Sequence, residues 1–247
     1  LTILGTAGVV YLLLLIVVGW AAALTLLGED IPLETYLDVF TWDFWGMRGA
    51  WMLLFLPALL LVLSQFAFLV PVCDPRPRGG TRGGWPLWVT LVGAGLVGGM
   101  LSLGLWYASG ELFQWWADGE TWPLFHPSFS DEWIGLTIFW AQVAVGWGFW
   151  TLMLGLACRR TDPRRLPGRL VMGLFAGTVL ELLIVIPVDL MVRQRTDCYC
   201  ATGTFVSLIA ALWAGLWLAG PGVVLTLTAE RRRRWDRTHC LNCGYAK

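Results

Sequence analysis

The sequence predicts an all-α, polytopic integral membrane bundle of about six transmembrane helices, N-in and C-in. Three observations predict it: an apolar composition, six long runs almost free of charge, and a lopsided distribution of arginine. Hydrophobic residues make up 57% of the 247, charged residues 14%, and mean hydropathy is +0.66. An ordinary soluble domain carries about 25% charged residues. A bilayer solvates this much apolar surface, whereas one soluble core of this length could not enclose it.

A span needs about 20 predominantly apolar residues. The runs fall at about 2–27, 49–72, 86–109, 133–158, 168–192 and 203–229, followed by a basic tail over 230–247. They are continuous, whereas barrel strands would alternate over about 10 residues, so each run reads as a helix. The chain begins with Leu1 rather than Met, which leaves room for a leader upstream.

Arginine sets the orientation, because short cytoplasmic loops collect positive charge. One set of connections carries Arg76, Arg78 and Arg82, then Arg159, Arg160, Arg164, Arg165 and Arg169, then Arg231–Arg234, Arg237 and Lys247. The alternate set carries Arg48, Arg193 and Arg195 among Glu29, Asp30, Glu34, Asp38, Asp43, Glu111, Asp118, Glu120, Asp131 and Glu132. The basic face is therefore expected in the cytoplasm, in a bacterial inner membrane. The outer connections YLDVFTWDFWGMRGAW and ELFQWWADGETWPLFHPSF interleave aromatic rings with acids. This pattern suits short interfacial helices with rings among the headgroups, or docking surfaces for other membrane subunits.

Two inner loops, VCDPRPRGGTRGGWP and ACRRTDPRRLPGRL, share a cysteine, an Asp-Pro-Arg and a glycine, a weak internal repeat. Helices approach closely in lipid through small residues. Gly95 and Gly99 supply such a face in the third span, with Gly173 and Gly177 in the fifth and Ser207, Ala211, Gly215 and Ala219 in the sixth. Pro57, Pro187 and Gly220-Pro221-Gly222 are positions where kinks are expected.

Glu181 lies near the middle of the fifth span, where an acid costs about 2.5–3.5 kcal/mol on insertion scales. Asp189 follows about 12 Å further along at about 1.5 Å per residue. Gln65 and Gln142 occur at similar depth in other spans and are expected partners. Two roles suit this set. One is a hydrogen-bonded anchor that fixes helix register. The other is a proton or cation site, with Glu181 as carrier and Asp189 as outer relay.

The tail reads THCLNCGYAK. Its C-x-x-C-G-Y looks like a zinc knuckle and resembles half of a zinc-ribbon site. Zinc would then sit on Cys240 and Cys243, completed by His239, Cys73 and Cys158 or by another chain. On the outer side DCYCATG places Cys198 and Cys200 two apart, open to disulfides or a soft metal. No span contains histidine, which excludes a membrane-embedded bis-His haem. P-loop and G-x-S-x-G motifs are absent, and the Arg run reads as a lipid-facing anchor rather than a nucleic-acid site.

The function expected first is a non-catalytic accessory subunit of a larger membrane complex. It would dock through its Trp-rich loops and small-residue helix faces, with the bilayer as its other partner. A small ion- or proton-coupled transporter or channel component using Glu181 comes second. A membrane thiol or redox enzyme comes third.

Overall fold

The structure, a computed structural model, describes residues 2–27, 31–46, 51–73, 85–116, 132–158, 166–194 and 202–238. Its long helices are α1 (Thr2–Leu27), α4 (Leu56–Cys73), α5 (Trp85–Trp116), α6 (Glu132–Cys158), α7 (Leu166–Arg193) and α8 (Gly203–Thr238). Two short helices, α2 (Leu33–Leu37) and α3 (Trp42–Gly46), lie between α1 and α4. The described residues contain helices and no strand.

Five of the helices (α1, α5, α6, α7 and α8) are long and apolar enough to cross a membrane. The chain is thus a multi-helix integral membrane protein in contact with lipid. The apolar part of α4 is shorter, Leu56–Leu69, and is preceded by a π-helical turn at Trp51–Phe55. That turn ends just before Pro57, whose ring lacks the N–H a regular helix would use there. Helix α5 runs past the expected span end at Ser109 to Trp116, and α8 continues through Pro221 to Thr238. The first part of the basic tail is therefore helical.

Helix α5 is the hub. Of its apolar stretch 61% is buried, against 6% for α6 and 17% for α7. It packs on α4, α6, α7 and α8, while α1 closes the bundle against α4 and α8. Glycine makes this centrality possible. A Cβ on Gly93 would lie 2.5 Å from the Ser64 carbonyl oxygen of α4. One on Gly99 would lie 2.8 Å from the Trp147 nitrogen of α6. Two α6 indoles then brace the contact, Trp147 donating to the Val92 carbonyl at 2.8 Å and Trp150 to Ser102 at 3.0 Å.

The other small-residue faces divide. A Cβ on Gly177 would meet only Leu101, at 3.8 Å, and those on Gly173 and Gly215 would meet nothing within 4 Å. The sixth-span row starts inside, with Ser207 and Ala211 buried, and ends outside, with Gly215 and Ala219 exposed. Four residues turn a helix by about 400°, so a strict four-residue row drifts about 40° per step and leaves the interface.

A polar cluster ties α1, α4 and α8. Gln65 donates to the Trp217 carbonyl at 2.8 Å and to the Tyr11 hydroxyl at 3.3 Å. Tyr11 donates to the Leu216 carbonyl at 2.8 Å, and the Trp217 indole donates to Ser64 at 2.9 Å. Replacing Gln65 with Leu removes the bonds that join α4 to both neighbours. The expected loss of stability is about 1 kcal/mol, within the range for intramembrane hydrogen bonds. Denaturation in mixed SDS micelles measures it, and an unchanged midpoint would show that the cluster adds nothing to stability.

The connection between α1 and α4 holds the two short helices, as its aromatic pattern suggested. Trp20 donates to the Thr35 carbonyl at 3.2 Å and stacks edge-on with Phe44 at 4.7 Å. Trp45, Trp51 and Phe55 extend the ring cluster onto the π-helical turn. Leu33, Phe40 and Trp42 point away from it, exposed by 74%, 70% and 88%.

Candidate functional site: a buried carboxyl at the α5–α7–α8 junction

Helix α7 buries one stripe. After its first turn the buried residues are Leu170, Thr178, Glu181, Val185, Asp189 and Val192, spaced at three, four or eight, the repeat of one helix face. Glu181 is fully buried on it. Its Oε1 accepts a hydrogen bond from the Ser207 hydroxyl of α8 at 2.7 Å. Gly104 of α5 completes the cradle. A Cβ there would run into Glu181 Oε1 and lie 3.0 Å from the Ser207 Cα. Glu181 Oε2 is buried with no hydrogen-bond partner.

Neither amide expected beside Glu181 bonds it. Gln65 joins the α1–α4–α8 cluster at Trp217. Ten residues separate Trp217 from Ser207 on α8, about 15 Å at about 1.5 Å per residue. Gln142 accepts from the Tyr107 hydroxyl, across the α5–α6 contact. Helices α6 and α7 both pack on α5 but make no substantial contact with each other. Asp189 shares the buried stripe and pairs with Arg193 one turn on, Nε to Oδ2 at 2.8 Å.

Three residues that the sequence did not single out as site residues matter here. Gly104 has no distinguishing spacing. Ser207 was legible only as a small residue. Glu111 of α5 caps α8, accepting from the Gly203 backbone N–H at 2.9 Å, where a carboxylate also faces the positive end of the helix dipole. A Cβ on Gly203 would lie 2.5 Å from the Tyr107 carbonyl carbon, so glycine is what admits this close approach.

A cavity of about 200 Å³ lies beside the junction, between α4 and α6, floored by α5 and α8. Gly104 lines it together with residues such as Leu60, Met100, Val143 and Ile209. Trp140 and Trp213 also line it, and the indole N–H of each is buried without an acceptor. That of Trp213 faces α1, where a Cβ on Gly19 would lie 2.6 Å away.

His239, Cys240, Cys243, Cys198 and Cys200 lie outside the described residues, as do residues 74–84, 117–131 and 159–165. The side chain of Cys73 is also outside them. Cys158 is a half-buried free thiol at the end of α6. Among the described residues no three metal-ligating side chains come together. No family model matches the chain, and no curated protein or solved structure matches it either.

Proposed function

We propose that the chain is a six-span inner-membrane protein, with both termini cytoplasmic, that serves as a non-catalytic accessory subunit of a membrane complex. One observation carries this reading: the intramembrane polar side chains join helices to one another. Gln65 links α4 to α8 and α1, the Tyr107 hydroxyl links α5 to Gln142 on α6, and Ser207 links α8 to Glu181 on α7. Such bonds fix register in lipid, where helix association gains little from the hydrophobic effect. The outer faces of α6 and α7 remain available to partners, with Val145, Phe149, Phe175 and Leu183 all more than half exposed.

The second reading, an ion- or proton-coupled transporter component, draws on the unpartnered and buried Oε2 of Glu181. Glu181→Gln separates the two, because the amide keeps an acceptor for Ser207 but cannot exchange a proton. For an accessory subunit, gently solubilised membranes are expected to release wild type and variant in the same high-mass assembly on native gels. Migration of the wild type as a lone monomer would sink the subunit reading. Proton flux in proteoliposomes abolished by Glu181→Gln would favour transport.

A further inference from the structure

The helices around Glu181 differ on its two sides. Toward the end where α7 stops and α8 begins, buried polar groups follow one another. Ser207, which donates to the carboxyl, is fully buried, and so is Thr204 one turn earlier on α8. The Thr204 hydroxyl lies 3.2 Å from that of Thr202, a buried residue just before the helix. Glu111 of α5 reaches the same turn through the Gly203 N–H at 2.9 Å. Asp189 lies two turns further along α7, and the side chain of its partner Arg193 is 35% exposed where the stripe meets the surface.

Toward the other end the junction is apolar. Val97 and Leu101 of α5 and Ala211 and Ala214 of α8 are all buried. Thr178, the single hydroxyl residue of α7, donates to the Leu174 carbonyl of its own helix at 2.9 Å. Helix α8 has no hydroxyl residue from 208 to 225. The ionisable groups divide in the same way. On α5 they are Tyr107 and Glu111, both beyond Gly104, and Tyr107 turns its hydroxyl to Gln142 of α6. On α7 Asp189 and Arg193 lie on the polar side and Arg169 on the other, while α8 has none before Glu230.

We infer that Glu181 is a proton-binding site reached from one end of the bundle only, along the hydroxyls of Thr202, Thr204 and Ser207. Such a site requires a membrane-embedded bundle but no partner complex. It also differs from a transport site, since access from a single end carries no net flux. Ser207 and Thr204 stand three residues apart, about 5–6 Å between Cβ atoms, a gap that one water molecule bridges. A proton arriving there bonds to the Ser207 oxygen while the Ser207 proton passes along the 2.7 Å hydrogen bond to Glu181 Oε1. The carboxylate becomes a neutral carboxyl, and release runs the same steps backwards. A carboxyl that served only as an anchor would be expected to bond through both oxygens. Oε2, buried and bonding nothing among the described residues, leaves the group able to change protonation state without breaking a second contact.

The test uses the full chain in nanodiscs and infrared spectroscopy of the carboxyl C=O stretch. Wild type is expected to show a buried-carboxyl band that responds to pH and is absent in Glu181→Gln. After a rapid pH jump, Thr204→Val should slow the change of that band by at least about tenfold, which is about 1.4 kcal/mol on the barrier. Thr204→Ser keeps the hydroxyl and should restore the wild-type rate. Thr178→Val removes the hydroxyl on the apolar side and should leave the rate unchanged. Each variant is compared with wild type in thermal melting, and Thr204→Ala replaces a Thr204→Val chain that fails to fold. A folded Thr204→Val or Thr204→Ala chain that exchanges as fast as wild type would overturn the inference. Equal slowing by Thr178→Val would overturn access from one end, and the absence of any pH-responsive Glu181 band would overturn the proton site itself.

Discussion

Leucine at both Gly95 and Gly99 is expected to detach α6 from α5 and to produce a large loss of stability. The reason is what a new side chain would meet. A Cβ at position 95 would lie 2.9 Å from the Thr151 nitrogen and 3.1 Å from its Cα. At position 99 the nearest atoms are the Trp147 nitrogen at 2.8 Å and the Gly146 carbonyl carbon at 3.0 Å. These are backbone atoms, so no rotamer change makes room and the helix axes must separate. Overpacking a tight core costs about 1–3 kcal/mol per site, and these sites belong at or above the top of that range. Separation also breaks the Trp147 and Trp150 hydrogen bonds to α5. SDS-titrated unfolding followed by circular dichroism measures the loss. Gly148→Leu is the control, because a Cβ there meets nothing within 4 Å. Loss of the same size in control and test variants would mean that added bulk, rather than a close α5–α6 contact, is responsible.

The sequence makes the membrane class and most helix positions legible for a simple reason. Long apolar runs are a one-dimensional signal, and hydrocarbon thickness sets their length. Helix ends were less legible, since α5 and α8 carry helical structure beyond the apolar zone into Trp116 and Thr238. The burial of Glu181 was legible too, because an acid at that depth must turn inward. Its partner was not. Matching residues by depth ignores both the rotation of each helix and its place around the bundle. Gln65 is turned to α8 near Trp217, and Gln142 lies across α5 from the carboxyl. The hydroxyl of Ser207 looked like one more small residue in a packing row. That row itself misled beyond Ala211, because spacing by four drifts around the helix until Gly215 faces outward. The hub role of α5 left one trace, its run of glycines, which sequence alone could not assign to particular neighbours.

A double-mutant cycle between Gly104 and Glu181 is expected to give a coupling energy of about 1–2 kcal/mol, at contact range for two residues sharing one packed site. Gly104→Ala alone drives a methyl into Glu181 Oε1 at a point closed on its other side by α8, and should cost about 2–3 kcal/mol. Glu181→Ala alone removes the acceptor of the Ser207 hydroxyl and leaves a void beside α5. Combined, the two changes partly compensate, since the atom nearest the new methyl has gone. Compensation stays incomplete because the Ser207 Cα and Oγ, each 3.0 Å from the added carbon, remain. The size of the coupling separates two pictures of the carboxyl. If Glu181 is held in the cradle, alanine at 104 is far less costly in the Glu181→Ala background than in wild type. If the side chain is free to swing out of the cradle, alanine at 104 costs the same in both backgrounds and the coupling vanishes. Ser207→Ala adds a third comparison, because it removes the donor together with only one of the two Ser207 atoms that crowd position 104. It should weaken the fold by about 0.6 kcal/mol, up to about 1.7 kcal/mol, the measured range for interhelical bonds in lipid, and lower the cost of Gly104→Ala much less than Glu181→Ala does, since the closest atom, Glu181 Oε1, stays in place. A carboxyl fixed by shape first and by its hydrogen bond second is what that pattern would establish.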